Sequence, residues 1–258
     1  MLVDLSYVIF YKMFSTITWF TMSKTELTED LLLAKFQKGL LDVLKSLVKL
    51  YCVEWKNVIL AIDTPRKTIW RNNIFESYKK NRDNVHHQYA GLLFSETLKN
   101  LGGICKTLGC SYIAVHEAEA DDICAVAHDY IHSCLGKRVC IITNDNDYIQ
   151  LIPKSSGKTK IYNLKKKEIV DRVSVSIEHF LQVKIIVGDK SDNIPPITSR
   201  MGEKTALKLA QNPDKLETLL NSSLDIRNQY NVNKKLIDFE YIPQKFVDEV
   251  VTKLKTII

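Results

Sequence analysis

Three short acidic runs dominate the chemistry written in this chain: EAEADD at 117–122, TNDND at 143–147 and GDKSDN at 188–193. Asp4 and Asp63 join them, each closing a brief apolar run, MLV and VILAI. Like charges repel by kilocalories at close range, so carboxylates converge only where hard divalent cations lie between them. The spacings permit convergence. Asp145 and Asp147 are two apart, and an extended backbone sends both side chains the same way. Glu119 and Asp122 are three apart on one helical face, with Asp121 beside them in a first turn whose dipole tolerates acid. Asp189 and Asp192 share a face just after Gly188. Together with Asp4 and Asp63 these carboxylates read as a Mg²⁺ site.

The elements that must position them alternate in type. A strand ending at Asp4 is followed by a Thr/Ser-rich connector. A helix then opens on the cap Thr28 and carries Leu31, Leu32, Phe36, Leu40, Val43, Leu44, Leu47, Val48 and Tyr51 at helical spacing. Residues 57–63 read as a buried strand, 68–101 as a polar, basic and aromatic stretch, and 119–134 as a helix with Ile123, Val126, Ala127, Tyr130 and Ile131 on one side. Strands follow at 139–143 and 160–163, the Lys-rich piece 154–167 reads as a loop and hairpin, and only helices and loops are expected from Ser176 onward. The pattern predicts an α/β fold with a mostly parallel central sheet flanked by helices: a core over 1–187 and a helical region over 188–258. Ligands of such sheets gather at the carboxyl ends of strands, where Asp4, Asp63, Asp145 and Asp147 fall.

Composition sets the partners. The 258 residues are 45% hydrophobic and 26% charged, with a net charge of +6. Because the acid is clustered, the remaining surface is more basic than the total shows, which suits a polyanion. No segment is long and apolar enough to span a membrane, so no membrane partner is expected. The six cysteines show no CxxC pair or zinc spacing, which predicts reduced thiols and an intracellular location.

Strand-Asp4, strand-Asp63, EADD, TNDND, and GDKSDNIPP followed by GEKTALKLA occur in an order and spacing that resembles the 5′-nuclease family over nearly the whole chain. That family includes flap endonucleases, phage 5′-exonucleases and the nuclease domain of bacterial DNA polymerase I. The resemblance implies a PIN-like fold with a helical arch at about 64–95 and a C-terminal helix-hairpin-helix-type element, with no polymerase domain attached. It implies a structure-specific 5′-3′ exonuclease or flap endonuclease of replication or repair, acting as a monomer wherever DNA is replicated, on DNA with 5′ ends or flaps and on RNA:DNA hybrids. Two Mg²⁺ ions, replaceable by Mn²⁺, are implied, the first held by Asp4, Asp63, Glu119 and Asp121, the second by Asp122, Asp145, Asp147, Asp189 and Asp192. Glu117 would act through water.

By the same resemblance, TPRKTIWRNNIFESYKKNRDNVHHQY corresponds to the arch. Lys79 and Arg82 would meet the scissile phosphate, Lys67 and Arg71 would hold the backbone, and Tyr78 would stack an unpaired base, with His86 and His87 on the arch surface. In the tail, Arg200, Gly202, Lys204 and Thr205 would grip duplex phosphates, beside a loop that binds K⁺ in the family. The chain departs from the pattern at Leu5, Pro196 and Arg200, where glycines are usual. The last two predict a weak or missing K⁺ site and heavier reliance on Arg200 and Lys204. Two alternatives are a ribonuclease of the related acidic-site type, against which the duplex-gripping tail argues, and a non-catalytic DNA-structure-binding protein, in which acids would be lost. None is lost.

Overall fold

A computed structural model describes residues 1–82 and 88–258. Its sheet has five parallel strands, β1 (Leu2–Asp4), β2 (Ile59–Ile62), β3 (Ser111–Ala114), β4 (Val139–Ile142) and β5 (Thr159–Tyr162), in the order β3-β2-β1-β4-β5. β1 lies in the middle, with Leu2 opposite Ile59 on one side and Ile141 on the other. The chain builds outward from β1 to β3, then crosses over to β4 and β5. The strand order therefore reverses beside β1, and a crevice opens there at the carboxyl ends.

Alternation along the strands feeds two cores. Val3, Leu60, Ile62 and Ile142 face the helices α1 (Leu5–Ser23), α2 (Glu29–Leu50) and α3 (Ala90–Leu108), packing with Val8, Leu32, Phe36 and Leu93. Leu2, Ile59, Ile113 and Ile141 face the other way, against Ile123 and Ala127 of α4 (Ala120–Asp129) and Phe246, Val250 and Leu254 of α9 (Gln244–Ile257). Burial on both faces explains why β1, β2 and β4 are nearly continuous apolar runs. Between α4 and α9 run α5 (Ile177–Val187), α6 (Glu203–Ala210), α7 (Pro213–Asn221) and α8 (Leu224–Ile237). A separate cluster of Val183, Ile186, Ala206, Leu216 and Leu220 joins α5, α6 and α7.

Three expectations are corrected, and one strand, β3, had not been expected. The stretch after Asp4 is helix α1, not a connector. Val8, Ile9, Met13, Thr16 and Phe20 are buried at helical spacing, and Thr18 and Thr21 satisfy their hydroxyls on the carbonyls of Phe14 and Ile17 at 2.8 and 3.1 Å, so the polar residues coexist with the helix. β3 had no clear signal because this edge strand is half-exposed. The Lys-rich piece holds β5, which pairs in parallel with β4, and in place of a hairpin there is a single antiparallel bridge between Tyr162 and Glu168. Finally, 68–101 is not one element: 3₁₀ turns at Arg66–Thr68, Trp70–Asn73 and Lys80–Arg82 precede α3. His86 and His87 lie outside the described residues.

Candidate metal centre

A cavity of about 1110 Å³ occupies the crevice, and Asp4, Asp63, Glu119, Asp121, Asp145, Asp147 and Asp189 line it. Each is fixed by its own local structure. Asp4 caps α1, accepting from the Tyr7 amide at 3.0 Å, while its other oxygen accepts from the Thr143 hydroxyl at 3.0 Å. Asp63, one residue past β2, accepts from the Ala120 amide at 2.8 Å and so ties β2 to the start of α4. Glu119 stands at the cap position of α4, and its amide donates to Asp122 at 3.0 Å. Asp145 is extended but opens a 3₁₀ turn, accepting from the Asp147 amide at 2.9 Å. The pair therefore does not share an extended strand as expected, yet both residues reach the cavity.

The 189–194 turn holds Asp189, whose carboxylate accepts from the Ser191 amide at 2.7 Å. Gly188 enters it at φ 75°, and a Cβ there would sit 2.4 Å from the Ile194 carbonyl oxygen and 2.5 Å from that of Pro195. Both are backbone atoms that cannot swing aside. Gly188→Ala should therefore cost about 2–3 kcal/mol in a denaturant titration, the upper part of the single-substitution range. A loss below about 0.5 kcal/mol would show that the turn gives way instead.

One oxygen each from Glu119, Asp121 and Asp122 lie within 4.8 Å of one another, and so do one each from Asp147, Asp189 and Asp192. Burial, and then the charge of Asp63, push Asp4 up to about 7. Asp63 and Asp121 are raised too, first by burial and then, in the same direction, by Glu119. Burial also pushes Glu119 upward, but Lys79 and Arg71 outweigh it and hold that carboxyl down at about 2. Lys184 does the same for Asp189, also about 2. A donor set made only of carboxylate oxygen, crowded enough to keep Asp4 partly protonated, fits a hard divalent cation.

This crowding has a pH signature. Asp4 sits above its ordinary 3.8 when folded, so its stabilising contribution is full below about pH 4 and is lost as pH rises through about 7. A cation at the site relieves that loss. Mg²⁺ should therefore raise Tm more at about pH 7.5 than at about pH 5.5. An equal or smaller rise at the higher pH would place Asp4 beyond the cation's reach.

The wall behind the carboxylates is basic. Arg71 is 2% exposed, bonds Asp122 at 2.7 and 3.0 Å and Glu119 at 2.7 Å, and donates to the Leu236 carbonyl at 2.9 Å. The Tyr78 hydroxyl donates to Glu119 at 3.0 Å, and Trp70 donates to Asp122 at 2.8 Å. Lys79, with left-handed backbone at φ 55°, sets its ammonium 2.5 Å from Glu119 and 3.5 Å from Asp192. Arg82 bonds Asp192 and donates to the Ser191 carbonyl at 3.0 Å. Four readings change accordingly. Two of these concern Arg71 and Tyr78, which are buried and do not face a strand of DNA; the other two concern Asp122 and Asp192, which keep their places in the carboxylate clusters but do not line the cavity and are held by Arg71 and by Arg82 with Lys79. The reason is electrostatic: a guanidinium forked onto two buried carboxylates offsets the desolvation of all three.

Lys79, Arg82 and exposed Lys67 do line the cavity. Lys184, unremarked in the sequence, lines it as well, pressing on Asp147 and lying 2.8 Å from Asp189. Its signal was its place one helical turn before Gly188. Glu117 turns away to Lys245 at 2.7 Å. Arg200, Gly202, Lys204 and Thr205 are exposed around the start of α6, with Gly202 at the cap.

Residues 1–180 match the family profile described as "5′-3′ exonuclease, N-terminal resolvase-like domain". The chain is 28% identical over 209 residues to a 5′-3′ exonuclease of Buchnera aphidicola subsp. Acyrthosiphon pisum, covering 77% of this chain and 69% of that protein. It is 28% identical over 216 residues to the ribonuclease H of Enterobacteria phage T4, covering 76% and 69%. Among solved structures, the flap endonuclease of bacteriophage T5 in a complex with DNA and metal ions superposes with a TM-score of 0.72 at 19% identity, over 99% of this chain and 97% of that one.

Proposed function

Because the chain belongs to the 5′-3′ exonuclease family, a family of structure-specific nucleases, we propose that it hydrolyses phosphodiesters of DNA bearing 5′ ends or flaps, and of RNA:DNA hybrids, with two Mg²⁺ ions. The observation that carries this is the cavity at the sheet's switch point, where seven carboxylates face Lys67, Lys79, Arg82 and Lys184. Asp4, Asp63, Glu119 and Asp121 would hold one ion, and Asp145, Asp147 and Asp189, backed by Asp192 and Asp122, the other; Mn²⁺ substitutes. Bound there, the cations supply charge neutralisation and a hydroxide at neutral pH. The similarity to a phage ribonuclease H supports the hybrid as a second substrate.

The chain's own groups do the rest. Lys79 and Arg82 stabilise charge building on the scissile phosphate. Lys67 holds the incoming backbone at the exposed rim. Lys184 keeps Asp147 and Asp189 together and holds Asp189 ionised, and Arg71 and Tyr78 fix Glu119. The helical region 188–258 grips the downstream duplex through Arg200, Lys204 and Thr205, with little help from K⁺. The protein works as a monomer inside the cell.

Cleavage of a 5′-flap, a nicked duplex and an RNA:DNA hybrid, with and without Mg²⁺, tests the reading. Cation-dependent release of 5′-phosphorylated product is expected; no cleavage of any substrate with Mg²⁺ or Mn²⁺ overturns it. Two variants separate chemistry from grip. Lys79→Ala should lower the single-turnover rate about a hundredfold with little change in duplex affinity. Lys204→Ala should leave the rate and weaken binding, flattening its salt dependence by about one unit of slope. Equal effects of both on rate and affinity would mean that these roles are misassigned.

A further inference from the structure

The sheet has a second cavity, at the end opposite the carboxylates. About 650 Å³ in volume, it lies at the amino ends of the strands, between Ile59, Val139 and Lys158, with Tyr51 from the end of α2 on its wall. Its charge is reversed: Lys56, Lys137, Arg138, Lys158 and Lys160 line it against a single side-chain carboxylate, Glu54. Glu54 is already paired with Lys56 at 2.7 Å, and Lys160 is paired with Glu168 at 2.7 Å. Lys137, Arg138 and Lys158 are exposed and pair with no carboxylate among the described residues. The Val139 amide donates to the Lys158 carbonyl at 3.1 Å, which locks Arg138 and Lys158 side by side across neighbouring strands. Three like charges held together without a partner repel one another and do nothing for the fold.

The wall supplies a second observation. Tyr51 stacks on Tyr162 with centroids 4.8 Å apart and planes at 26°, and its hydroxyl oxygen is buried without a hydrogen-bond partner among the described residues. Burial pushes that hydroxyl up to about 12, so it remains a donor at neutral pH. Three unmatched cations on the wall of a cavity that also carries this tyrosine pair are complementary to an anion with several acceptor oxygens.

We infer that this cavity is a phosphate-binding site, separate from the carboxylate centre, that takes a nucleotide or a segment of nucleic-acid strand. Arg138 offers a planar fork to phosphate oxygens, and Lys137 and Lys158 add point charges. The tyrosine pair lines the space beside them with aromatic surface, which suits a base or sugar better than an acidic peptide. None of these residues lines the carboxylate cavity, so the site does not depend on the function proposed for that cavity.

Calorimetric titration of the full chain with inorganic pyrophosphate, dAMP, a phosphorothioate-linked oligothymidylate and a polyglutamate peptide tests this. Arg138→Glu/Lys158→Glu should weaken phosphate binding at this site by about tenfold or more while 5′-flap cleavage stays within about twofold. The milder Lys137→Ala, at an exposed position, should show a smaller loss in the same direction. Loss confined to pyrophosphate and dAMP assigns the site to free phosphate compounds; loss confined to the oligonucleotide assigns it to a strand. Binding that is unchanged in both variants, or tightest for polyglutamate, overturns the proposal.

Discussion

Asp145→Asn should reduce single-turnover cleavage of a 5′-flap duplex at least about a hundredfold, roughly 2.7 kcal/mol of barrier, while DNA affinity holds or tightens. The substitution is unusually clean here. Asp145 opens its turn by accepting from the Asp147 amide at 2.9 Å, and the carbonyl of an asparagine can accept the same bond. The side chain is exposed to the cavity and touches no cation of the wall, so the fold loses nothing else. Only one negative charge disappears from the face that phosphate must approach. Binding is therefore expected to survive or improve as turnover falls. Turnover above about a hundredth of wild type would remove Asp145 from the ions' ligand set.

The legible part of this protein was the part governed by short-range rules. Asp4 and Asp63 could be placed because a parallel sheet sends its strand ends to one edge, and Asp145 and Asp147 followed from β4 in the same way. Thr28 was readable as a cap, and it accepts from the Leu31 amide at 3.4 Å. What escaped depended on distant partners. Arg71 and Tyr78 look like solvent-facing residues of a basic stretch. Their surroundings come from Glu119 and Asp122, which are 41–51 residues away, and from the Leu236 carbonyl, which is 165 away. Charge is visible in a sequence, but the desolvation that decides what a charge does is not. Helix α1 escaped for a related reason. Its serines and threonines argue against a helix until the buried Val8, Met13 and Phe20 decide the matter.

Arg71→Ala separates the two readings of that residue and should give the largest stability loss in the chain. Removing the guanidinium leaves Glu119 and Asp122 buried at 3% and 1% exposure; among the described residues Asp122 then has no other cationic partner and Glu119 has Lys79 alone. Breaking a buried ion pair from one side typically costs about 3–5 kcal/mol, because an uncompensated charge remains behind. The bond to the Leu236 carbonyl is lost as well, and with it a tie between α4 and α8. A urea titration should show that fall, and cleavage should drop with it as Glu119 loses its anchor. Arg71→Lys should recover only part, since an ammonium cannot reproduce the fork that spans both carboxylates. Under conditions where the variant remains folded, the salt dependence of DNA binding should match wild type, because a side chain 2% exposed meets no phosphate. A salt slope smaller by about one unit, with stability intact, would instead return Arg71 to the DNA backbone.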